Sequence, residues 1–153
     1  MDLFQKKYYL AEISKTRCGN TRGRIVNAKP LFILTVIEAI ETGVLLENRI
    51  YHNDEKMKNL YISLCQSHEP QYNPSPYILP YFHLSKDSYY HIKWRGKPFV
   101  PSPHAHSPSA KYLKENAEYA YLDEALWELL QDETVREDFK ELIINFFISK
   151  KTD

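Results

Sequence analysis

The 153-residue sequence has few cysteines and glycines and no long hydrophobic segment. Its two cysteines, Cys18 and Cys65, are isolated, so the sequence predicts neither a disulfide framework nor a zinc ribbon. The N-terminus is charged and lacks the apolar segment of an export signal, and the longest apolar run is too short to span a bilayer. We therefore expect a protein of the reducing cytoplasm, with no membrane anchor.

Several catalytic motifs are also missing. The sequence has no glycine-rich phosphate loop and no nucleophile elbow, which leaves phosphotransfer and serine hydrolysis without support. The residue pattern of an HNH nuclease is absent as well. His104 and His106 suggest a metal-dependent nuclease as one alternative, but no acidic residue or cysteine accompanies them at a ligand spacing. We expect no enzyme activity and no cofactor.

Charge is distributed unevenly along the chain, although the formal net charge is zero. Residues 1–30 contain seven cations and two acidic residues, whereas residues 115–141 contain ten acidic residues and two cations. A polyanion would have to approach the basic end. The acidic helices predicted at the other end suggest an alternative function, as a protein–protein interaction module.

The most apolar stretch, residues 29–43, is predicted to be a central helix. Pro30 suits a first helical position, and Gly43 suits the left-handed conformation that ends a helix. The start of this helix faces a basic segment, and a helix N-terminus beside cations is a natural seat for a phosphate. The basic residues of that segment are Arg17, Arg22, Arg24 and Lys29.

The other predicted elements surround this helix. Further helices are predicted at 2–14, 111–116 and 122–131, with Ser109 as the cap of the second of these. Another helix is predicted to begin at Asn53 or Asp54 and to end at 67, and a last one to run from an Asp132 cap through 147. Residues 16–28 are predicted to be a mobile basic loop, and the prolines of 69–80 to exclude a helix. Segments 81–84 and 89–94 are predicted to form a β-hairpin. We therefore predict an α+β fold: a winged-helix-like domain with closing C-terminal helices, spanning 1–153 as one unit.

Three segments, taken in order, resemble a known family. They are AKPLFIL at 28–34, ILPYFHLSKD at 78–87, and YLDEALWELL at 121–130 with the residues that follow it to 147. This order resembles the sulfur-binding domain found ahead of the HNH nuclease in McrA-like type IV restriction enzymes. That domain recognises phosphorothioate DNA, in which sulfur replaces a non-bridging phosphate oxygen, through an apolar cup around a proline ring with cations beside it.

The resemblance implies a set of site residues. Pro80 matches the cup proline, with Leu79 and Tyr81 as its neighbours, while Lys29 and Lys111 match the flanking cations. Leu79 stands where tyrosine is common and Lys111 where arginine would serve; Ala28 and Ser88 also depart from the pattern. Because lysine cannot form a bidentate pair of hydrogen bonds with a phosphate, Arg22 and Arg24 are expected to supply part of the phosphate contacts.

The resemblance therefore implies a non-catalytic module of bacterial defence, associated with restriction–modification. Its expected partner is double-stranded DNA that is phosphorothioate-modified or otherwise altered. Cleavage would require a separate nuclease subunit, because the residue pattern of an HNH nuclease is absent from this sequence.

Overall fold

The computed structural model describes residues 2–148 and has an α+β architecture, as predicted. The helices are α1 (Leu3–Ser14), α2 (Ala28–Glu41), α3 (Glu55–His68), α4 (Ile78–His83), α5 (Ala110–Asn116), α6 (Glu124–Leu129) and α7 (Glu133–Ile143). The strands are β1 (Gly19–Thr21), β2 (Arg24–Val26), β3 (Tyr90–Trp94) and β4 (Ala117–Leu122). A 3₁₀ turn, Leu84–Lys86, extends α4, and a π-helical segment, Ile144–Ile148, follows α7. No helix among these residues is both long and apolar enough to cross a membrane.

Helix α2 is the central helix of the fold, as predicted, and packs against α3, α4 and α7. It is buried continuously from Pro30 to Ile37. Pro30 lies in the first turn, where its missing N–H costs no helical hydrogen bond. Gly43 has a φ of 77° just after the helix, the left-handed conformation that glycine adopts without steric cost. Local sequence therefore sets both ends of this helix.

Three predicted helix caps, Asp54, Ser109 and Asp132, are confirmed, and Asp2 is a further cap that was not predicted. Acidic and hydroxyl side chains accept backbone N–H bonds at the starts of four helices and so satisfy groups that would otherwise lack partners. These caps are Asp2 for α1, Asp54 for α3, Ser109 for α5 and Asp132 for α7.

The prediction of a mobile loop at 16–28 is wrong, because β1 and β2 form a short antiparallel hairpin there. Its two-residue turn, Arg22 and Gly23, has φ values of 53° and 81°. Two consecutive positive φ values match the twist of a tight hairpin. The Asn20 side chain accepts a hydrogen bond from the Gly23 N–H at 3.0 Å and stabilises the turn.

The predicted hairpin of 81–84 with 89–94 is also wrong. Strand β3 forms as predicted, but it pairs antiparallel with β4, and Tyr90 lies opposite Leu122. Residues 81–84 lie instead in α4 and its 3₁₀ extension. Pro80 is compatible with this helix because it lies in the first turn. The winged-helix detail of the predicted fold class is not confirmed.

Candidate nucleic-acid interface

A cleft of about 800 Å³ opens where the β1–β2 hairpin meets the first turns of α2 and α4. Four cations line it, together with one acidic residue, one histidine and several apolar side chains. We call it the basic cleft and define it by Lys15, Arg17, Lys29, Lys86, Asp87, His83, Val26, Ala28, Leu79 and Pro80. Cations outnumber the single acid, and the N-terminal end of α2 adds partial positive charge. The basic cleft is therefore suited to an anion.

The first turn of α4 supplies apolar surface to the basic cleft. Pro80 is buried, whereas Leu79 is half-buried and exposes more of its side chain. Tyr81 is fully buried behind them; its hydroxyl donates to the Ile50 carbonyl at 2.9 Å, and its own carbonyl accepts from the Tyr90 hydroxyl at 2.6 Å. These bonds fix α4 against the core, so Tyr81 anchors the helix that presents Leu79 and Pro80.

The cations of the basic cleft differ in how far they are neutralised within the protein. The Lys29 ammonium lies 2.9 Å from the Asp87 carboxylate, and the Lys15 ammonium lies 2.9 Å from that of Glu12. Arg17 and Lys86 form no ion pair with any of residues 2–148. An incoming anion therefore meets two cations that are not already paired.

His83 connects the basic cleft to the proline-rich loop before α5. Its Nε2 lies 2.6 Å from the Ser107 hydroxyl oxygen. Burial lowers the pKa of His83 to about 4, with smaller contributions from Lys86, Lys29 and His106. The imidazole is consequently neutral at pH 7, and His83 adds a polar contact to the cleft without adding charge.

Three of the seven residues implied by the resemblance, Lys29, Leu79 and Pro80, come together in the basic cleft. Tyr81 lies behind them. The other three are at different places. Arg22 is exposed in the hairpin turn. Lys111 is exposed on α5, 3.9 Å from Glu115, and is not part of the cleft lining.

Arg24 does not line the basic cleft and has partners of its own. Its guanidinium carbon lies 3.4 Å from the ring centroid of Tyr72, and the group is 3.8 Å from the Glu69 carboxylate. These contacts hold β2 against the segment after α3 and occupy the cation. The placement favours a structural contribution, and the DNA-binding role of Arg24 remains a prediction.

Among the lysine, arginine, acidic and histidine residues of the lining, sequence reasoning missed four: Lys15, His83, Lys86 and Asp87. The signal for two of them is helical spacing, because Leu79, His83 and Lys86 are separated by four and then three positions and share one face of a helical segment. Because 81–84 is predicted to be a strand, the prediction does not place these three residues on one helical face. Once α4 is recognised, the spacing brings a histidine and a cation to the side of Leu79.

The geometry does not support the alternative of a metal-dependent nuclease. His104 and His106 are both exposed in the loop before α5. Among residues 2–148 there is no group of three or more histidine, cysteine, aspartate or glutamate side chains that could hold a metal ion.

No family model and no curated protein matches the chain. Solved structures do match. The sulfur-binding domain of SprMcrA, complexed with phosphorothioated DNA, has a TM-score of 0.71 at 14% identity, covering 94% of this chain and 86% of that one. The sulfur-binding domain of ScoMcrA, also complexed with phosphorothioated DNA, has a TM-score of 0.68 at 12% identity, covering 90% and 85%. The chain therefore has the fold of McrA sulfur-binding domains, which its sequence motifs resemble.

Proposed function

We propose that the chain is a non-catalytic DNA-binding module that holds phosphorothioate or otherwise modified duplex DNA in the basic cleft. The observation that carries this proposal is the position of Leu79 and Pro80, which line the same cleft as Lys29 and Arg17. Its support is the fold shared with two solved domains that are complexed with phosphorothioated DNA.

The chemistry of the cleft suits a thiophosphate. Sulfur is larger, more polarizable and less strongly hydrated than oxygen, so contact with an apolar surface costs it less desolvation free energy. Leu79 offers such a surface, and the buried Pro80 lines the cleft beside it. The diester remains an anion, and the cations of the cleft would hold its charge. The preference for sulfur over oxygen would come from its lower desolvation cost, while the affinity for DNA would come from the charge of the cations.

The cations have different roles in this proposal. Arg17 and Lys86 would contact phosphates directly, whereas Lys29 would do so in competition with its partner Asp87. Arg22, exposed in the hairpin turn, and Lys111, exposed on α5, would reach phosphates farther along the duplex. Cleavage would belong to a separate nuclease subunit in the bacterial cytoplasm.

Fluorescence anisotropy with three labelled duplex pools tests the proposal. Two pools carry one central phosphorothioate, one in each phosphorus configuration, and the third is unmodified; bases flanking the linkage are randomised because the sequence context is unknown. We expect one diastereomer to bind at least about tenfold more tightly than the unmodified pool, a difference of about 1.4 kcal/mol. Equal binding of all three would refute sulfur recognition, and no binding at low salt would refute DNA binding.

Two variants distinguish the proposed contribution of desolvation to sulfur preference from that of charge to DNA affinity. Leu79→Asn replaces apolar surface by an amide and should reduce the preference for sulfur while leaving the unmodified duplex bound as before. Lys29→Ala should weaken binding to all three pools. Lys56→Ala removes an exposed cation from α3, outside the basic cleft, and should change neither quantity. If Leu79→Asn retains the full preference, the apolar surface at α4 is not the sulfur contact.

A further inference from the structure

A second groove lies between α1 and the C-terminal helices. Its volume is about 440 Å³, and its lining combines apolar side chains with acidic ones. The apolar part is Leu10, Leu142 and Phe146, and the polar part is Asp138, Glu141 and Asn145. We call it the acidic groove. The residues that line it are different from those of the basic cleft.

The acidic groove has exposed apolar side chains in it and beside it. Phe146 in the groove is 39% exposed, and Leu3, seven residues before Leu10 and so on the same face of α1, is 65% exposed. Single exposed apolar side chains are normal on a protein surface. Exposed apolar side chains grouped at one groove are typical of an interaction site.

The acidic residues of the groove come from α7. Its two cations, Arg136 and Lys140, point inward: each side chain is 13% exposed, and both lie within 4 Å of carboxylates on α2. The acids Glu133, Glu137, Asp138 and Glu141 remain on the outer side. Glu137 pairs with Lys140 and Asp138 with Lys6, whereas Glu141 pairs with no cation among residues 2–148. The outer side of α7 is therefore acidic.

From this arrangement we infer that the acidic groove docks an amphipathic helix of a partner protein, with lysines or arginines flanking its apolar stripe. An apolar floor with charged edges is the arrangement that receives such helices, through side chains at i, i+3 or i+4, and i+7. The same acids repel nucleic acid, so duplex DNA cannot be the occupant. The inference is independent of sulfur recognition in the basic cleft.

The test uses the full chain and four designed, fluorescein-labelled helical peptides. One has a leucine stripe and lysine flanks; the others replace the flanks by glutamate, replace the leucines by glutamine, or scramble the order. We expect the lysine-flanked peptide to bind at least about tenfold more tightly than each of the other three. Equal binding of the lysine-flanked and glutamine-stripe peptides would overturn the inference, because it would show charge attraction without docking.

Matched variants locate the binding. Glu141→Lys reverses one exposed charge in the groove and should weaken binding at least about fivefold. Glu128→Lys makes the same change at an exposed position on α6 and should leave binding unchanged. An equal effect of both substitutions would place the peptide outside the groove. Sedimentation gives a further check: a dimer of the free protein that Glu141→Lys disrupts would assign the groove to a second copy of the chain and overturn the inference.

Discussion

Lys29 and Asp87 form an ion pair at 2.9 Å in the wall of the basic cleft, with side chains only 14% and 12% exposed. The pair joins the first turn of α2 to the residue that follows the 3₁₀ turn after α4. It also means that the cation nearest the start of α2 is already neutralised. Any anion that uses Lys29 must share it with a carboxylate.

Asp87→Asn should therefore tighten binding to duplex DNA. The substitution removes the only acidic charge among the described residues of the cleft lining and keeps a side chain of similar size. At about 0.1 M salt we expect affinity to rise about three- to tenfold, because the repelled phosphate lies within one screening length. Anisotropy with the unmodified duplex pool measures this affinity, and Glu128→Gln, which removes an acidic charge outside the cleft, is the control. Weaker binding would mean that Asp87 acts by orienting Lys29.

Arg17→Ala and Lys86→Ala should each flatten the dependence of DNA affinity on salt. Every phosphate contact releases condensed counterions, so loss of one contact reduces the slope of log K against log salt by about one. Binding constants measured at several salt concentrations give that slope. Lys56→Ala should leave it unchanged, and an unchanged slope in Arg17→Ala and Lys86→Ala would show that the two residues do not contact phosphate.

The central helix could be predicted because its determinants are local. A proline at one end, a glycine at the other and an almost uninterrupted apolar composition need no knowledge of the rest of the chain. The caps Asp54, Ser109 and Asp132 were predictable for the same reason, since each acts on N–H groups two or three residues away.

Helix α4 could not be predicted from composition, because aromatic residues favour strands and the prolines before them argue against a helix. Tertiary contacts decide its structure. Tyr77, Tyr81 and Leu84 recur at helical spacing and are all buried, and the rings of Tyr77 and Tyr81 lie 5.2 and 6.3 Å from that of Phe32 in α2. The sequence contained this spacing, but local strand preference outweighed it in the prediction.

The error over α4 explains which part of the site was missed. Lys29, Leu79 and Pro80 were named through motif resemblance, which needs no knowledge of secondary structure. The predicted β-hairpin places Lys86 and Asp87 between its two strands, so it does not predict their position beside Lys29. The partner of β3 was missed for a different reason: pairing Tyr90 with Leu122 is a long-range contact that no local pattern specifies.

Asn27→Ala should destabilise the fold strongly. Asn27 is 1% exposed, and its side-chain amide donates to the Glu69 carboxylate at 3.0 Å and to the Phe147 carbonyl at 3.1 Å. The substitution leaves both buried acceptors without this donor and removes a link between α2, α3 and the C-terminal segment. We expect the free energy of unfolding to fall by about 2–4 kcal/mol.

Urea denaturation with matched controls measures the Asn27 effect. Asn59→Ala makes the same chemical change at an exposed position on α3 and should alter the free energy of unfolding by less than about 0.5 kcal/mol. A similar small change in Asn27→Ala would show that the buried amide does not hold the three segments together.

The stability of the protein should fall in mild acid because of His83. Its pKa is about 4 in the folded protein against an ordinary value of 6.5, so between these values the unfolded chain binds a proton that the folded chain does not. The free energy of unfolding therefore rises with pH across this window and falls as pH drops through it. Burial also lowers the pKa of His52, so the wild-type slope contains a second contribution of the same sign.

Substitution separates the two histidines. His83→Gln removes the titrating group while keeping a side chain that can bond to Ser107, so its loss of stability between pH 7 and pH 5, measured by urea denaturation, should be smaller than that of the wild type. His104→Gln, in the exposed loop before α5, is the control and should lose as much stability as the wild type. If His83→Gln loses as much stability as the wild type, protonation of His83 is not linked to unfolding. If it loses less, the imidazole of His83 is neutral in the folded protein at pH 7, and the positive charge of the basic cleft comes from its lysines and arginines.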